Sequence, residues 1–269
     1  MNSYWLSNWG PKIRTFARLR QRVSNWPTMV SLRVGRRWRG LRAVHFRDGV
    51  DLLFRGGTQD WDVICGLAVN DEYKHALDYV RTLTGSHLIL DLGANIGVFS
   101  LLTAHQCPGA VIHAYEPAPA NVRMVRLNVL ANEELSSRIH VHAEAVGGQT
   151  RTAEFFYDAL NPQASRIESG SPSGIKVQIR AFAEVVNNLD RPISLVKMDI
   201  ESAEYELVQE TPPEIWKRIA ALSIELHPTP NGPDRAKAFL KKIHALGFDK
   251  AVPEGSPGCY FISRSRPLN

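Results

Sequence analysis

The sequence has no uninterrupted apolar run near the roughly 18 to 20 residues that a membrane-spanning helix requires, so no helical span is expected. Cysteine is scarce. Cys65, Cys107 and Cys259 are odd in number and far apart, which argues against a disulfide scaffold or a zinc-ligand pair and fits a reducing, cytoplasmic setting. Residues 1–42 contain no acidic residue at all, and no apolar stretch follows their charges, so they do not read as a signal peptide. Also missing is the Gly-x-Gly-x-x-Gly turn of dinucleotide sites. No Asn-Pro-Pro-Tyr or Asp-Pro-Pro-Tyr and no Pro-Cys pair occurs. These absences argue against methylation of adenine or glutamine nitrogens and against cytosine C5 chemistry through a thiolate. Disorder throughout is excluded by a hydrophobic content of 44% with 9% aromatics, enough for a full core.

The net charge of +5 is unevenly placed. Ten of the 32 Lys and Arg fall in residues 1–42, which leaves the rest of the chain with 22 basic against 27 acidic residues. Four of the six tryptophans, Trp5, Trp9, Trp26 and Trp38, lie in the same segment. Between Trp9 and Trp26 the residues Ile13, Phe16, Leu19 and Val23 recur at helical spacing with arginines between them, which predicts a basic amphipathic helix. Two roles suit it: a contact to an anionic membrane surface, or a cap or docking helix. The acidic remainder argues against a body that wraps nucleic acid.

Three segments are expected: the basic stretch 1–42, a hairpin and cap helix over 43–85, and a main domain over 86–269. Asp48-Gly49 between apolar runs predicts the hairpin. A helix is predicted over 70–83, with Asn70 or Asp71 as its cap; Tyr73 reads as a core residue, the alternative being that it sets this helix over the cofactor. Apolar strands are predicted at 87–92, 110–115, 139–146, 193–198 and 220–226, alternating with helices at 96–105, 118–131, 203–209 and 234–246. Residues between 146 and 193 read as irregular, with a low-complexity loop at 165–174. Two last strands, near 248–252 and 259–263, form a hairpin that suggests an antiparallel edge strand. Short apolar strands between helices specify a doubly wound, mostly parallel α/β sheet of Rossmann-like type.

The most informative stretch is Leu88-Ile-Leu-Asp91-Leu-Gly93-Ala94-Asn95-Ile-Gly97. A buried strand ends in an acid, and a glycine turn then opens a helix. Gly93 permits a sharp turn and Gly97 a close helix approach. A carboxylate at Asp91 would repel a pyrophosphate, so a ligand with a cationic centre, such as S-adenosylmethionine, is preferred. Glu116, followed by Pro117, ends the next strand about twenty residues on, where a carboxylate can accept from both ribose hydroxyls. Ala145 and Val146 end the third strand, where backbone groups would meet the adenine edge. The alternative for Asp91 and Glu116 is capping of the helices that follow them.

Together with Ala114-Tyr-Glu-Pro-Ala-Pro-Ala-Asn121, Val196-Lys-Met-Asp-Ile-Glu-Ser-Ala-Glu204 and Ile224-Glu-Leu-His227, this stretch resembles the FkbM family of S-adenosylmethionine-dependent methyltransferases over residues 60–227. The resemblance implies a seven-stranded methyltransferase sheet with one antiparallel strand. It also implies O-methylation of a hydroxyl on a sugar, glycan or related natural product. The family usually has Gly where Ser202 stands, which leaves the shape of the acceptor pocket open.

The catalytic residues are reasoned from the strands. Lys197 and Asp199 share one face of the fourth strand, Glu225 and His227 one face of the fifth. A lysine inside an apolar strand needs a carboxylate, and Glu225 or Asp91 is the expected partner. Asp199, Glu201 and His227 lie nearer the crevice, where His227 or Asp199 would remove the hydroxyl proton. A divalent metal on the same three residues would act by lowering the hydroxyl pKa, a less common route. Other readings are methylation of RNA ribose or of a lipid-linked acceptor, a nicotinamide-dependent oxidoreductase, and a non-catalytic protein that keeps the fold.

Overall fold

The computed structural model describes residues 9–34, 39–156, 166–167, 175–201, 203–227 and 232–265. Trp5, Trp38, Ser202 and most of the loop at 165–174 lie outside them. Two helices open the chain, α1 (Trp9–Arg22) and α2 (Trp26–Val34), followed by the antiparallel hairpin β1 (Gly40–His45) and β2 (Asp51–Gly56). Phe46 N donates to Val50 O at 2.9 Å across the Asp48-Gly49 turn, where Gly49 takes φ +102°. Leu19, Val23 and Met29 are buried in the same core as the hairpin's Val44, Leu52 and Phe54. Arg22 pairs with Asp71 at 2.6 Å, and Arg18 donates to Asn70 O. On the other side of α1, Arg14, Phe16 and Arg20 are exposed, with Phe16 edge-on to Trp26.

Next come α3 (Asp60–Ile64), a π-helical turn at Cys65–Val69, and α4 (Lys74–Thr82). The helix predicted over 70–83 therefore starts late. Asn70 N closes the π turn on Cys65 O, and Asp71 sits at φ +61° with its carboxylate on Arg22, so neither caps α4. Tyr73 precedes α4 directly and is almost wholly buried.

The main sheet then builds up through β3 (His87–Leu92), α5 (Val98–Gln106), β4 (Ala110–Tyr115), α6 (Pro119–Leu130), α7 (Glu133–Ser136) and β5 (Ile139–His142). Along β3, Leu88, Leu90 and Leu92 enter one core and Ile89 the other, the period-2 alternation of a strand covered on both faces. The strand predicted over 139–146 is two. β5 stays in the main sheet, whereas β6 (Ala145–Gly147) joins a four-stranded sheet with β7 (Arg151–Phe156), β8 (Arg166–Ile167) and β9 (Ile175–Ala181). Ala145 and Val146 thus follow the main sheet's third strand and belong to the second sheet, paired with β9. The stretch expected to be irregular holds most of this second sheet and α8 (Phe182–Asn187).

The chain returns through β10 (Ile193–Met198), α9 (Glu204–Glu210), α10 (Pro213–Trp216), β11 (Ala221–Glu225), α11 (Gly232–Ala245), β12 (Lys250–Pro253) and β13 (Cys259–Ser263). The seven-stranded order is β12-β13-β11-β10-β3-β4-β5. Adjacent parallel strands β3 and β10 make the switch point of a doubly wound sheet, where ligands bind beyond the carboxyl ends. The antiparallel strand is β13, which lies one place inside the edge because β12 pairs outside it. No helix among the described residues is long and apolar enough to cross a membrane.

Leu19→Ala should lower stability by roughly 2 kcal/mol or more, because the leucine is part of the shared core. Arg20→Ala, at an exposed position, should stay within about 0.5 kcal/mol. Urea denaturation measures both.

Candidate active site

Three strands set one polar row on the face of the sheet that packs on α5. Lys197 lies in register between Asp91 of β3 and Ser223 of β11, and all three are buried. The Lys197 Nζ donates to Gly93 O at 2.7 Å and stands 3.4 Å from Asp91 Oδ1 and 3.5 Å from Asp199 Oδ2. Ser100 Oγ, from α5, donates to Asp91 Oδ2 at 2.6 Å. Burial opposes the lysine's charge, but Asp199, Asp91 and Glu225 outweigh it and hold the pKa above the ordinary lysine value. The partner expected for Lys197 is therefore Asp91, with Asp199 beside it. Asp91 does not lie open to a ligand; its charge is met by Lys197.

The glycine loop is pinned from both sides. Gly93 N and Ala94 N donate to Tyr115 O at 3.0 and 2.9 Å, and Asp199 N donates to Leu92 O at 3.1 Å. Gly93 takes φ +80°, and a Cβ there would stand 1.8 Å from the Asp199 carbonyl oxygen. Gly97, at φ +87°, begins α5 and brings it within reach of Val125 on α6. Asn95 adopts φ +52°, which asparagine tolerates better than most residues. Its N–H donates to Glu116 Oε2 at 2.9 Å, while Glu116 Oε1 accepts from Ala118 N and from Asn121 Nδ2. Glu116 thus ties the loop to the start of α6, with Pro117 half-buried between them. Oε1 thus accepts twice, and Oε2, which accepts once, keeps a lone pair for a hydroxyl. Burial pushes Glu116 up to about 7, against those hydrogen bonds.

Beyond the loop stands an acidic pocket. His227 Nε2 lies 3.4 Å from Glu201 Oε2, 3.6 Å from Asp199 Oδ1 and 3.9 Å from Glu225 Oε1. Its Nδ1 is 3.0 Å from Glu204 Oε1, which also accepts Ile200 N at 3.0 Å. Tyr73 OH reaches Glu225 Oε2 at 3.3 Å and Asp199 Oδ2 at 3.4 Å, and burial, Asp199 and Glu225 raise its pKa. Burial alone would lower the His227 pKa. The hydrogen bond to Glu204 and the charges of Glu204, Asp199 and Glu201 reverse that and push it up to about 9. Burial, with Asp199, Glu204 and Glu225, pushes Glu201 up to about 8 against the pull of His227. Glu201 also sits at φ +53°, a strained position of the kind found at binding loops.

The structure brings Asp199, Glu201 and His227 together and sets them beside Gly93. Glu204, to which its place in the sequence assigns no role, completes the pocket. An acid in the first turn of a helix reads as a complement to the helix dipole, and only the fold reveals that this one is buried. Tyr73 touches the acids of the pocket. The stacked His113, His142 and Tyr115 lie along β4 and β5, outside this cluster.

The strand order, with one antiparallel strand inserted next to the edge, defines a Rossmann-like methyltransferase fold. The chain belongs to the FkbM methyltransferases: the methyltransferase FkbM domain matches residues 91–250. It is 27% identical over 196 residues to "Methyltransferase 1" of Beauveria bassiana (strain ARSEF 2860), covering 63% of this chain and 76% of the relative. It is 23% identical over 184 residues to the 31-O-demethyl-FK506 methyltransferase FkbM of Streptomyces tacrolimicus, covering 57% and 70%. The crystal structure of a methyltransferase FkbM from Methylobacillus flagellatus KT aligns at a TM-score of 0.48 with 14% identity. That alignment covers 74% of this chain and about half, 52%, of the other.

Lys197→Met should cost about 3–5 kcal/mol, because Asp91 is left charged and unpaired in the core. Adding Asp91→Leu should recover part of the loss, so a double-mutant cycle in urea reads out the coupling. An NMR titration should find the His227 ring protonated through pH 7 and losing its proton near 9. Glu204→Gln should lower that midpoint.

Proposed function

We propose that the protein transfers the methyl group of S-adenosylmethionine to a hydroxyl of a sugar, glycan or related natural product. The observation that carries this reading is the acidic pocket around His227 directly against the glycine loop at the switch point. A sulfonium donor is a cation without phosphates. Asp199 and Glu225 offer it a negative field, and Lys197, the cation at the sheet's polar row, is already engaged by Asp91 and Asp199. When bound, S-adenosylmethionine supplies a methyl group activated for in-line displacement. Gly93, Ala94, Asn95 and Gly97 form the turn that would take its amino-acid end, and Glu116 Oε2 has a lone pair for a ribose hydroxyl. Val146 and Ala145, at the join of the two sheets, would flank the adenine.

The protein's remaining work is alignment and proton removal. Asp199, Glu201 and His227 line the open end of the pocket, and the acidic cluster around the imidazole withdraws the hydroxyl proton. The relative from Streptomyces tacrolimicus carries an O-demethyl acceptor in its name, which supports oxygen as the atom methylated. The acidic composition beyond residue 42 speaks against RNA as acceptor. For the anionic membrane contact expected of the first segment, Arg14, Phe16 and Arg20 are exposed side chains, whereas Arg18 and Arg22 are engaged by Asn70 and Asp71.

Calorimetry should detect binding of S-adenosylhomocysteine and none of NAD. Labelled methyl transfer to a panel of glycans, hydroxylated small molecules, lipids and RNA should mark a hydroxylated small molecule or glycan, with mass spectrometry finding one added methylene. Asp199→Ala and His227→Ala should cut turnover well below wild type while changing S-adenosylhomocysteine affinity little. Tight NAD binding, or normal turnover in both variants, refutes the assignment.

A further inference from the structure

The distances around His227 fit an ion better than hydrogen bonds. The 3.4 and 3.6 Å separations from Nε2 to Glu201 and Asp199 exceed an ordinary N–H···O bond. They match the spacing of ligands that share one cation, since bonds of about 2.0–2.2 Å at tetrahedral or octahedral angles set neighbouring donors roughly 3.0–3.6 Å apart. One donor atom each from Asp199, Glu201 and His227 lies within 4.8 Å of the others, the one such trio among the described residues.

The tautomer is set for coordination. Glu204 is fully buried, and its Oε1 faces Nδ1 of His227 at 3.0 Å while accepting Ile200 N. Nδ1 therefore stays a donor, and a cation entering between Asp199 and Glu201 displaces the proton that the free ring carries on Nε2. This is the carboxylate–histidine support typical of metal ligands.

Charge points the same way. Lys197 faces Asp91 and Asp199, whereas Glu201, Glu204 and Glu225 have no lysine or arginine paired with them among the described residues. The second oxygen of Glu204, Oε2, is buried without a hydrogen-bond partner among those residues. The three donors are only part-buried, so positions stay open for solvent and substrate.

We propose that Asp199, Glu201 and Nε2 of His227 hold a divalent cation of the Mn2+ or Zn2+ class. On the methyltransferase reading above, on which this second half rests, it receives an acceptor whose hydroxyl has a second oxygen on the neighbouring carbon. The cation lowers the pKa of that hydroxyl, and its proton leaves to solvent at the open side of the part-buried site. The oxygen then bonds to the methyl carbon as the carbon–sulfur bond breaks. The sulfur keeps the electron pair, leaving neutral S-adenosylhomocysteine sulfur.

The test is a Mn2+ titration of the full-length protein, without donor or acceptor, followed by calorimetry and by loss of the free-ion EPR signal. One equivalent should bind. Glu204→Gln should weaken it about 10- to 100-fold through His227, and His227→Ala and Glu201→Gln should abolish it. Asp78→Asn, an exposed acid on α4 that pairs with Lys74 and Arg81, should leave it unchanged. Should His227→Ala fold poorly by circular dichroism, Glu201→Gln at its half-exposed position decides. Absence of Mn2+ binding, or binding that survives Glu201→Gln, overturns the site. Full turnover in chelator with S-adenosylhomocysteine still bound would overturn the cation alone. One tight Mn2+ equivalent in a protein that does not bind S-adenosylhomocysteine would leave the site standing and overturn the methyl-transfer role.

Discussion

One buried ion pair organises the molecule. Lys197 interrupts an apolar strand at the centre of the sheet, where a lone charge would be too costly to keep. Asp91 of the neighbouring strand answers it, and Ser100 fixes the aspartate from the helix above. The same ammonium group then holds the Gly93 carbonyl and approaches Asp199. A single cation thereby fixes the register of β3 on β10, the shape of the glycine loop and the position of an acid in the reactive pocket. The exposed pairs of the surface, such as Arg191 with Asp190, have no comparable reach.

The pocket gains its character from crowding. Carboxylates gathered around one imidazole raise its proton affinity, and their mutual repulsion, with burial, raises that of Glu201. Left to itself the cluster retains protons. A positively charged guest in the cluster would release them. Tyr73 adds a phenol between Asp199 and Glu225 and keeps those two acids apart from bulk water on one side.

Much of the frame is legible in the residues. The apolar strands at 87–92, 110–115, 193–198 and 259–263 coincide with β3, β4, β10 and β13, because burial on both faces leaves a continuous hydrophobic signature. The carboxylate need of Lys197 is legible for the same reason. Other features are hidden in principle. The stretch Ile139-His-Val-His-Ala-Glu-Ala-Val146 alternates straight through the point where the chain changes sheets, so periodicity cannot mark the break. β9 does alternate, with Val177, Ile179 and Ala181 inward, but a polar turn-rich loop before it obscures the signal. Asp71 has the chemistry of a helix cap and is instead claimed by Arg22, 49 residues away in sequence though adjacent in space. Glu204 acquires its meaning only when β11 brings His227 beside it.

The contact between Gly93 and the Asp199 carbonyl has a wider consequence. The turn after β3 and the turn after β10 meet there with no room for a single added methyl group. Neither can drift without displacing the other, so a change that reshapes the crevice without moving the backbone must fall on its rims.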